Sequence, residues 1–358
     1  MCCKIWNYVD ISENKGCVFM KSRYWLVMFA ALVSFSMLLS GCSNSSTQQQ
    51  KTLNVYTIWP EKYSSQVFEA FTKDTGIKVN FIRFSSGEAL TRIVAEKDNP
   101  QVDVLFGGPA DTFAAGISKG IFEPYTPKYD SAIPAKYKDP NHYWVGVAVD
   151  PLCFMTNNKF LKNNNLQAPT SWQDLLNPAY KNGLQMADAR TSGTAISRML
   201  SLNSIMGEDA SFAYQRQLHQ NVQLYTKSGG GGCLPIANGQ AASGIFFLVD
   251  AMEMKQQGYD VTITYPKEGT VYAVEAMAMI KGSKQPELAK QFLDWASSQN
   301  MQNLYETKKL NYVPADPTIK LSDPAMDVSK VNLIEVDIAK AGEDRERLVQ
   351  RWINEVIK

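Results

Sequence analysis

The sequence predicts an α/β protein of two lobes, each a doubly wound sheet flanked by helices, joined by two crossing strands. Three observations lead there. From Leu53 onward short apolar runs alternate with amphipathic helical segments through short links, the pattern of a parallel α/β sheet. Two extended stretches, residues 143–156 and 269–281, are long enough to leave one lobe and enter the other. At 358 residues the chain also exceeds the size at which a single apolar core stops growing, about 250–300 residues.

The elements follow in order. "TLNVYTIW" is a short apolar strand. In "SSQVFEAFTKDTG", Val67, Phe68 and Phe71 share a helical face and Gly76 is the stop. "IKVNFIRF" alternates as a strand does. "GEALTRIVAEKDNP" is helical, with Leu90, Ile93 and Val94 on one side and Pro100 just past its end. "VDVLFGG" reads as a buried strand and "ADTFAAGISKG" as a helix. The first crossing stretch, "YWVGVAVDPLCFMTN", comes next, and "TSWQDLLNPAYKN" resumes the alternation. Residues 195–206 form a helix with Met199, Leu200 and Met206 apolar and Gly207 ending it. "GEDASFAYQRQLHQN" is helical, and "AASGIFFLVDAMEMKQQG" runs from strand into helix. "VTITYP" and "VYAVEAMAMIKG" are extended, and "PELAKQFLDWASSQNMQNLYE" and "EDRERLVQRWINEVIK" are helices. This order places one lobe at residues 52–147 and 274–312, the other at 148–273, and a C-terminal helical segment at 313–358. The carboxyl ends of both sheets then face a shared cleft, where open α/β sheets hold ligands.

The N-terminal region has a different composition. Lys21 and Arg23 precede the apolar run "YWLVMFAALVSFSMLL", which has the make-up of a signal-peptide core. Leu39-Ser40-Gly41-Cys42 follows and resembles the lipobox of bacterial lipoproteins, so residues 1–41 are expected to be removed and Cys42 to carry lipid. A plain transmembrane anchor is the alternative, since the run approaches bilayer length. Residues 1–19, with two acids and three cysteines ahead of the basic region, fit an over-extended start, with Met20 as the true beginning. Residues 42–51, polar and without apolar period, read as a flexible tether.

Lys and Arg total 36 against 35 Asp and Glu, a net charge of +1. No basic stripe suits nucleic acid. Beyond Cys42 only Cys153 and Cys233 remain; they could form one disulfide, but nothing in their contexts argues for it, and buried free thiols suit them at least as well.

Several segments occur in one order: "LNVYTIWPEKYSSQVFEAFTKDTGIKV", "EALTRIVAEKDNPQVDVLFGGPAD", "GIFEPYTPK", "YWVGVAVDPLCFMTNNKFL", "PTSWQDLLNPAYKNGLQMADARTSGTA" and "AKQFLDWASSQNMQNLY". Together, from Leu53 to about Pro314, they resemble the extracytoplasmic solute-binding proteins of ABC importers, in the branch of ferric-iron binders and relatives for phosphonates or phosphorylated sugars. The resemblance implies a hinged protein that hands its solute to a permease and its ATPase. It also implies a monomer tied to the membrane by its lipid, without a cofactor.

The candidate site begins at "ADARTSGTA". Arg190, Thr191, Ser192, Gly193 and Thr194 stand at the mouth of a helix, where free N–H groups and the dipole favour an oxyanion. Arg190 adds a bidentate grip on phosphate. An ordinary N-cap explains the same residues equally well. Replacing Arg190 and Thr194 together is therefore expected to weaken binding. In "KSGGGGCLP", Ser228, Gly229, Gly230 and Gly231 permit an anion-binding nest, or simply a flexible loop. From the first lobe Thr57, Trp59, Ser85, Ser86 and Gly87 lie just past strand ends, with Trp59 either stacking on a sugar or packing. Asp250 and Glu268 are placed to accept from sugar hydroxyls or an ammonium group; a helix cap and a solvated loop are the plain alternatives.

Iron is the competing cargo. The family's iron binders pair tyrosines, and no two tyrosines adjoin here. Tyr265 and Tyr272 are the remaining candidates, with only His142 and His219 to assist. A small phosphorylated or phosphonate solute ranks first. Hydrolysis has little support: Gly116-Ile117-Ser118-Lys119-Gly120 matches G-x-S-x-G only as a string, within the helical segment "ADTFAAGISKG" and not on a strand-to-helix elbow, and the chain lacks H-E-x-x-H and C-x-x-C.

Overall fold

The computed structural model describes residues 51–358. The signal segment, Cys42 and nearly all of the tether lie outside the described residues. Strand β1 (Thr52–Thr57) is central in its neighbourhood, parallel to β2 (Lys78–Arg83) on one side and β3 (Val104–Pro109) on the other. Helix α1 (Glu61–Thr75) covers the first crossover, burying Val67, Phe68 and Phe71. It starts earlier than the apolar period suggests, with Pro60 at the cap position. It ends at Gly76, whose φ of 73° lets its N–H reach the Thr72 carbonyl at 2.8 Å. Helices α2 (Ser86–Ala95) and α3 (Ala110–Ser118) follow β2 and β3, and β4 (Phe122–Glu123) pairs with a later strand.

Strand β5 (Val145–Asn157) is buried throughout. Its first half pairs with β10 (Thr270–Ile280), from Val145 facing Met277 to Pro151 facing Tyr272. Its second half, from Leu152 to Thr156, pairs with β8 (Ser243–Phe247). The strand thus changes partner at Pro151, a residue with no N–H to give either neighbour. Strand β10 lies between β5 and β3, antiparallel to both. The hydrogen-bonded order is β2-β1-β3-β10-β5-β8-β6-β7, where β6 spans Leu184–Ala187 and β7 Val222–Thr226. The second lobe adds α4 (Asn158–Asn163), α5 (Gly193–Met206), α6 (Glu208–His219), α7 (Cys233–Ala237) and α8 (Leu248–Gln256). Strand β9 (Val261–Thr264) lies on β5. The fold is the two-lobed α/β architecture expected. One apolar core runs through Val147, Ala148, Leu152 and Phe154 of β5 from the packing of α1 to that of β6.

Two expectations about the C-terminal third need correction. The long helix expected from Pro286 divides into α9 (Pro286–Ala296) and α10 (Gln299–Thr307). The break falls at Ser297 and Ser298, whose hydroxyls donate to the carbonyls of Leu293 at 2.9 Å and Trp295 at 2.7 Å and so offer the backbone an exit. Residues 313–358 are not helical throughout: β11 (Val313–Pro314) pairs with β5 and β12 (Leu333–Ile334) with β10 before α11 (Ile338–Glu355) begins. Helix α11 serves both lobes. Its Arg345 makes a buried ion pair with Asp111 of α3, while Leu348 and Trp352 pack with Ile196, Met199 and Phe212 of α5 and α6.

Candidate functional site

Where β5 changes partner, helix starts from both lobes meet around a cavity of about 40 Å³, the volume of a few water molecules. The first lobe supplies Trp59 after β1, Arg83 at the end of β2, Ser85 and Ser86 at the start of α2, and Gly108 and Pro109 before α3. The second supplies Ser192 and Thr194 at the start of α5, Gly229 and Gly230, and Val249 and Asp250 in the first turn of α8. Ser85 caps α2 in a reciprocal box with Glu88, and the Ser192 hydroxyl accepts the Thr194 N–H at 3.3 Å. Gly229 and Gly230 have ordinary negative φ, so they form no alternating nest. Steric room explains them instead. A Cβ on Gly229 would lie 2.2 Å from Thr194 Oγ1, and one on Gly230 would lie 2.4 Å from Asp250 Oδ1.

Three carboxyl side chains share this cavity. Glu275 of β10 accepts the Trp59 indole N–H at 2.8 Å and the Gly108 N–H at 2.6 Å, the latter aimed by a φ of 90° at Gly108. Asp150 of β5, 1% exposed, accepts the Val249 N–H at 3.2 Å through Oδ1, while its buried Oδ2 has no hydrogen-bond partner among the described residues. Asp250 accepts no hydrogen bond from any described side chain. Burial pushes Asp250 up to about 6 against the pull of Arg83, and Glu275 up to about 7 against its two N–H donors. Burial, then the charges of Glu275 and Asp250, hold Asp150 well above the carboxylate range.

The lobes also touch each other directly around the rim. The Gly87 N–H donates to the Thr191 carbonyl at 2.9 Å, and Ser85 Oγ to the Lys227 carbonyl at 3.2 Å. Lys227 pairs with Glu88 at 2.6 Å and Lys62 with Glu253 at 2.7 Å, with the Tyr63 hydroxyl on the same Glu253.

Residues 99–341 match the family described as bacterial extracellular solute-binding protein. The chain belongs to that family. Among its relatives, a Haemophilus influenzae protein of unassigned function is 32% identical over 339 residues, 92% of this chain and 97% of its own. The structure of the periplasmic binding protein AfuA from Actinobacillus pleuropneumoniae, with exogenous fructose 6-phosphate bound, superposes with a TM-score of 0.82 at 31% identity. It covers 86% of this chain and 99% of that one. A Salmonella typhi protein provisionally named as a 2-aminoethylphosphonate-binding periplasmic protein is 36% identical over 156 residues, 43% of each chain. The protein is thus the solute-binding component of an ABC importer, and proteins of this family bind solutes for a permease.

This solute-binding protein assembles only part of the residue set read from its sequence. Trp59, Ser85, Ser86, Ser192, Thr194, Gly229, Gly230 and Asp250 line the cavity. Trp59 is otherwise packed, stacked on Tyr312 with ring centroids 4.0 Å apart. Arg190 does not reach the cavity. Its guanidinium is turned onto Asp188, with Nε 3.0 Å from Oδ1, which removes it from the expected phosphate grip. Thr191 donates to the Lys227 carbonyl at 2.7 Å, Gly193 packs on Ser86 and Pro109, and Gly87 bonds across the rim. Thr57 shares a hydrogen bond with Ser64 at 2.8 Å, the Ser228 carbonyl accepts from Thr226, and Gly231 packs on Thr226. Glu268 is not at the cavity: it takes the Ser171 hydroxyl. Tyr265 is packed with Met155 and Phe246, and Tyr272 lies beside Lys136 and Glu335 in a separate cavity, so the two tyrosines form no shared iron site.

Arg83, Asp150 and Glu275 were not singled out from the sequence. The signal for two of them is there: each crossing strand carries one acid inside an otherwise apolar run, Asp150 in "VGVAVDPLCFM" and Glu275 in "VYAVEAMAMI".

Proposed function

We propose that this solute-binding protein captures a small phosphorylated or phosphonate solute between its lobes and delivers it to its permease. One observation carries the reading: the N-terminal turns of α2 and α5, from opposite lobes, face one cavity with Ser86, Ser192, Thr194 and Arg83 on its wall. Helix starts and hydroxyls suit an oxyanion, and Arg83 takes the role that the sequence suggested for Arg190. The bound sugar phosphate of AfuA and the phosphonate in the Salmonella relative's name support the same chemistry. Residues 52–147 with 274–312 would move against 148–273, and an anion touching both stabilises the closed form. Lipid on Cys42 would keep a monomer beside the permease on the outer side of the membrane.

Thermal melting of the purified protein with glucose 6-phosphate, 2-aminoethylphosphonate, inorganic phosphate and ferric citrate tests the proposal. A bound solute raises the midpoint by mass action, and a shift with at least one organic phosphate or phosphonate is expected. A shift with ferric citrate alone would overturn it.

A further inference from the structure

Among the described residues the cavity wall carries one cationic side chain, Arg83 of the first lobe. The second lobe brings the start of α5 and its hydroxyls to that wall, but no cation. Its cation lies behind the wall. Arg198 follows Thr194 by four residues, one turn further along the same face of α5, and a helical side chain leans back toward the helix start. Its Nη1 donates to the Ala187 carbonyl at 3.2 Å, where β6 ends and the turn into α5 begins. The buried guanidinium thus lies under that turn, on the inner side of the helix mouth.

Arg198 makes no ion pair among the described residues, and its buried Nε has no hydrogen-bond partner there. The acid whose charge reaches it is Asp188. That carboxylate is already taken by Arg190, through Nε at 3.0 Å and the backbone N–H at 2.8 Å. Two cations on one acid leave a single positive charge in excess at the head of α5. Arg190 is more than half exposed, so water screens its charge; Arg198 is in the interior, where screening is weak. An arginine keeps its proton even there. A buried charge without a partner is unfavourable, and an anion seated at the start of α5 relieves it. The cavity acids offer little opposition, since burial holds Asp150, Asp250 and Glu275 toward their neutral forms.

We propose that Arg198 is the second lobe's cation for the solute, a positioning residue that draws the anion to the start of α5 through the protein interior without touching it. This rests on the oxyanion reading above and adds a criterion of choice: the site takes a dianionic phosphoryl or phosphonyl group over a monoanion of the same shape.

The test pairs probes of equal shape and unequal charge, titrated by calorimetry on the purified protein at pH 7.5. The pairs are glucose 6-phosphate against glucose 6-sulfate, and 2-aminoethylphosphonate against 2-aminoethanesulfonate. At that pH the phosphorus group carries about two negative charges and the sulfur group one. The expected result is at least tenfold tighter binding of the phosphorus member in each pair that binds. Arg198→Gln keeps an N–H for the Ala187 carbonyl but no charge, and should shrink that ratio at least fivefold. Arg198→Lys should hold it within threefold of the wild type. A loss of packing alone would weaken both members equally and leave the ratio unmoved. An unmoved ratio in Arg198→Gln, or one lost as fully in Arg198→Lys, overturns the assignment and leaves the oxyanion site standing. Equal binding of the sulfur members by the wild type does the same, and needs no variant to fold. Binding of neither phosphorus probe overturns both readings.

Discussion

Asp188 decides what Arg190 does. Its carboxylate takes the Arg190 backbone N–H at 2.8 Å and the guanidinium as well, so the arginine nearest the helix mouth braces the turn from outside. Arg83, which makes no ion pair among the described residues, stands on the cavity wall instead. Arg83→Ala should therefore weaken solute binding at least tenfold, and Arg190→Ala less than threefold, measured by calorimetry with the strongest probe of the panel. The buried acids give a second test. Their carboxyls have pKa values raised by burial, Asp250 to about 6 and Glu275 to about 7. Such groups add stability that is complete below the unfolded carboxylate value of about 4 and is lost as pH rises through the folded value. The melting temperature of the wild type should fall relative to Glu275→Gln between pH 4.5 and 8. A constant difference would mean that Glu275 titrates normally. Local grammar shows Ser192 and Thr194 because capping is written in neighbouring residues. It misplaces Arg190 because an arginine reaches several ångströms either way, and the choice belongs to its partner. Asp150 and Glu275 come together only when β5 and β10 pair, a contact with no local trace beyond a lone acid in each apolar run.

Among the elements, α11 does the most at a distance. Trp352 is fully buried with Leu348 against α5 and α6, and Arg345 reaches Asp111 at the start of α3. Trp352→Ala should cost about 3–5 kcal/mol, read from chemical denaturation. A loss below 1 kcal/mol would show that the helix is only loosely applied. The alternating order of strands and helices was legible from apolar period and glycine stops, as β1, α1 and β2 illustrate. The split between α9 and α10 was not, because serines inside an apolar repeat read as surface positions until their hydroxyls turn back on the helix. The two-residue strands β11 and β12 are too short to carry a period at all.

For the whole molecule, the contacts that bring the lobes together fall into two kinds. Rim bonds such as Lys62–Glu253 and Lys227–Glu88 join protein to protein and contribute to closure whatever solute fills the cleft. Each is partly exposed, worth about 0.2–1 kcal/mol. Replacing Lys62 and Lys227 by Met together should weaken every solute that binds by a similar factor, about two- to tenfold, and leave the ranking among them unchanged. A changed ranking in a parallel titration would place the rim in the recognition surface. The cavity alone then sets preference.

The position of β10 has a consequence for how this molecule is made. It fills the slot between β3 and β5, yet the chain reaches it only after the whole of the second lobe has been synthesised. Until then β3 presents an unpaired, fully apolar edge, of the kind that invites pairing between chains. The first lobe is unfinished while the second is already complete. Pairing of such distant segments is slow, and an edge left open meanwhile favours association between unfinished chains.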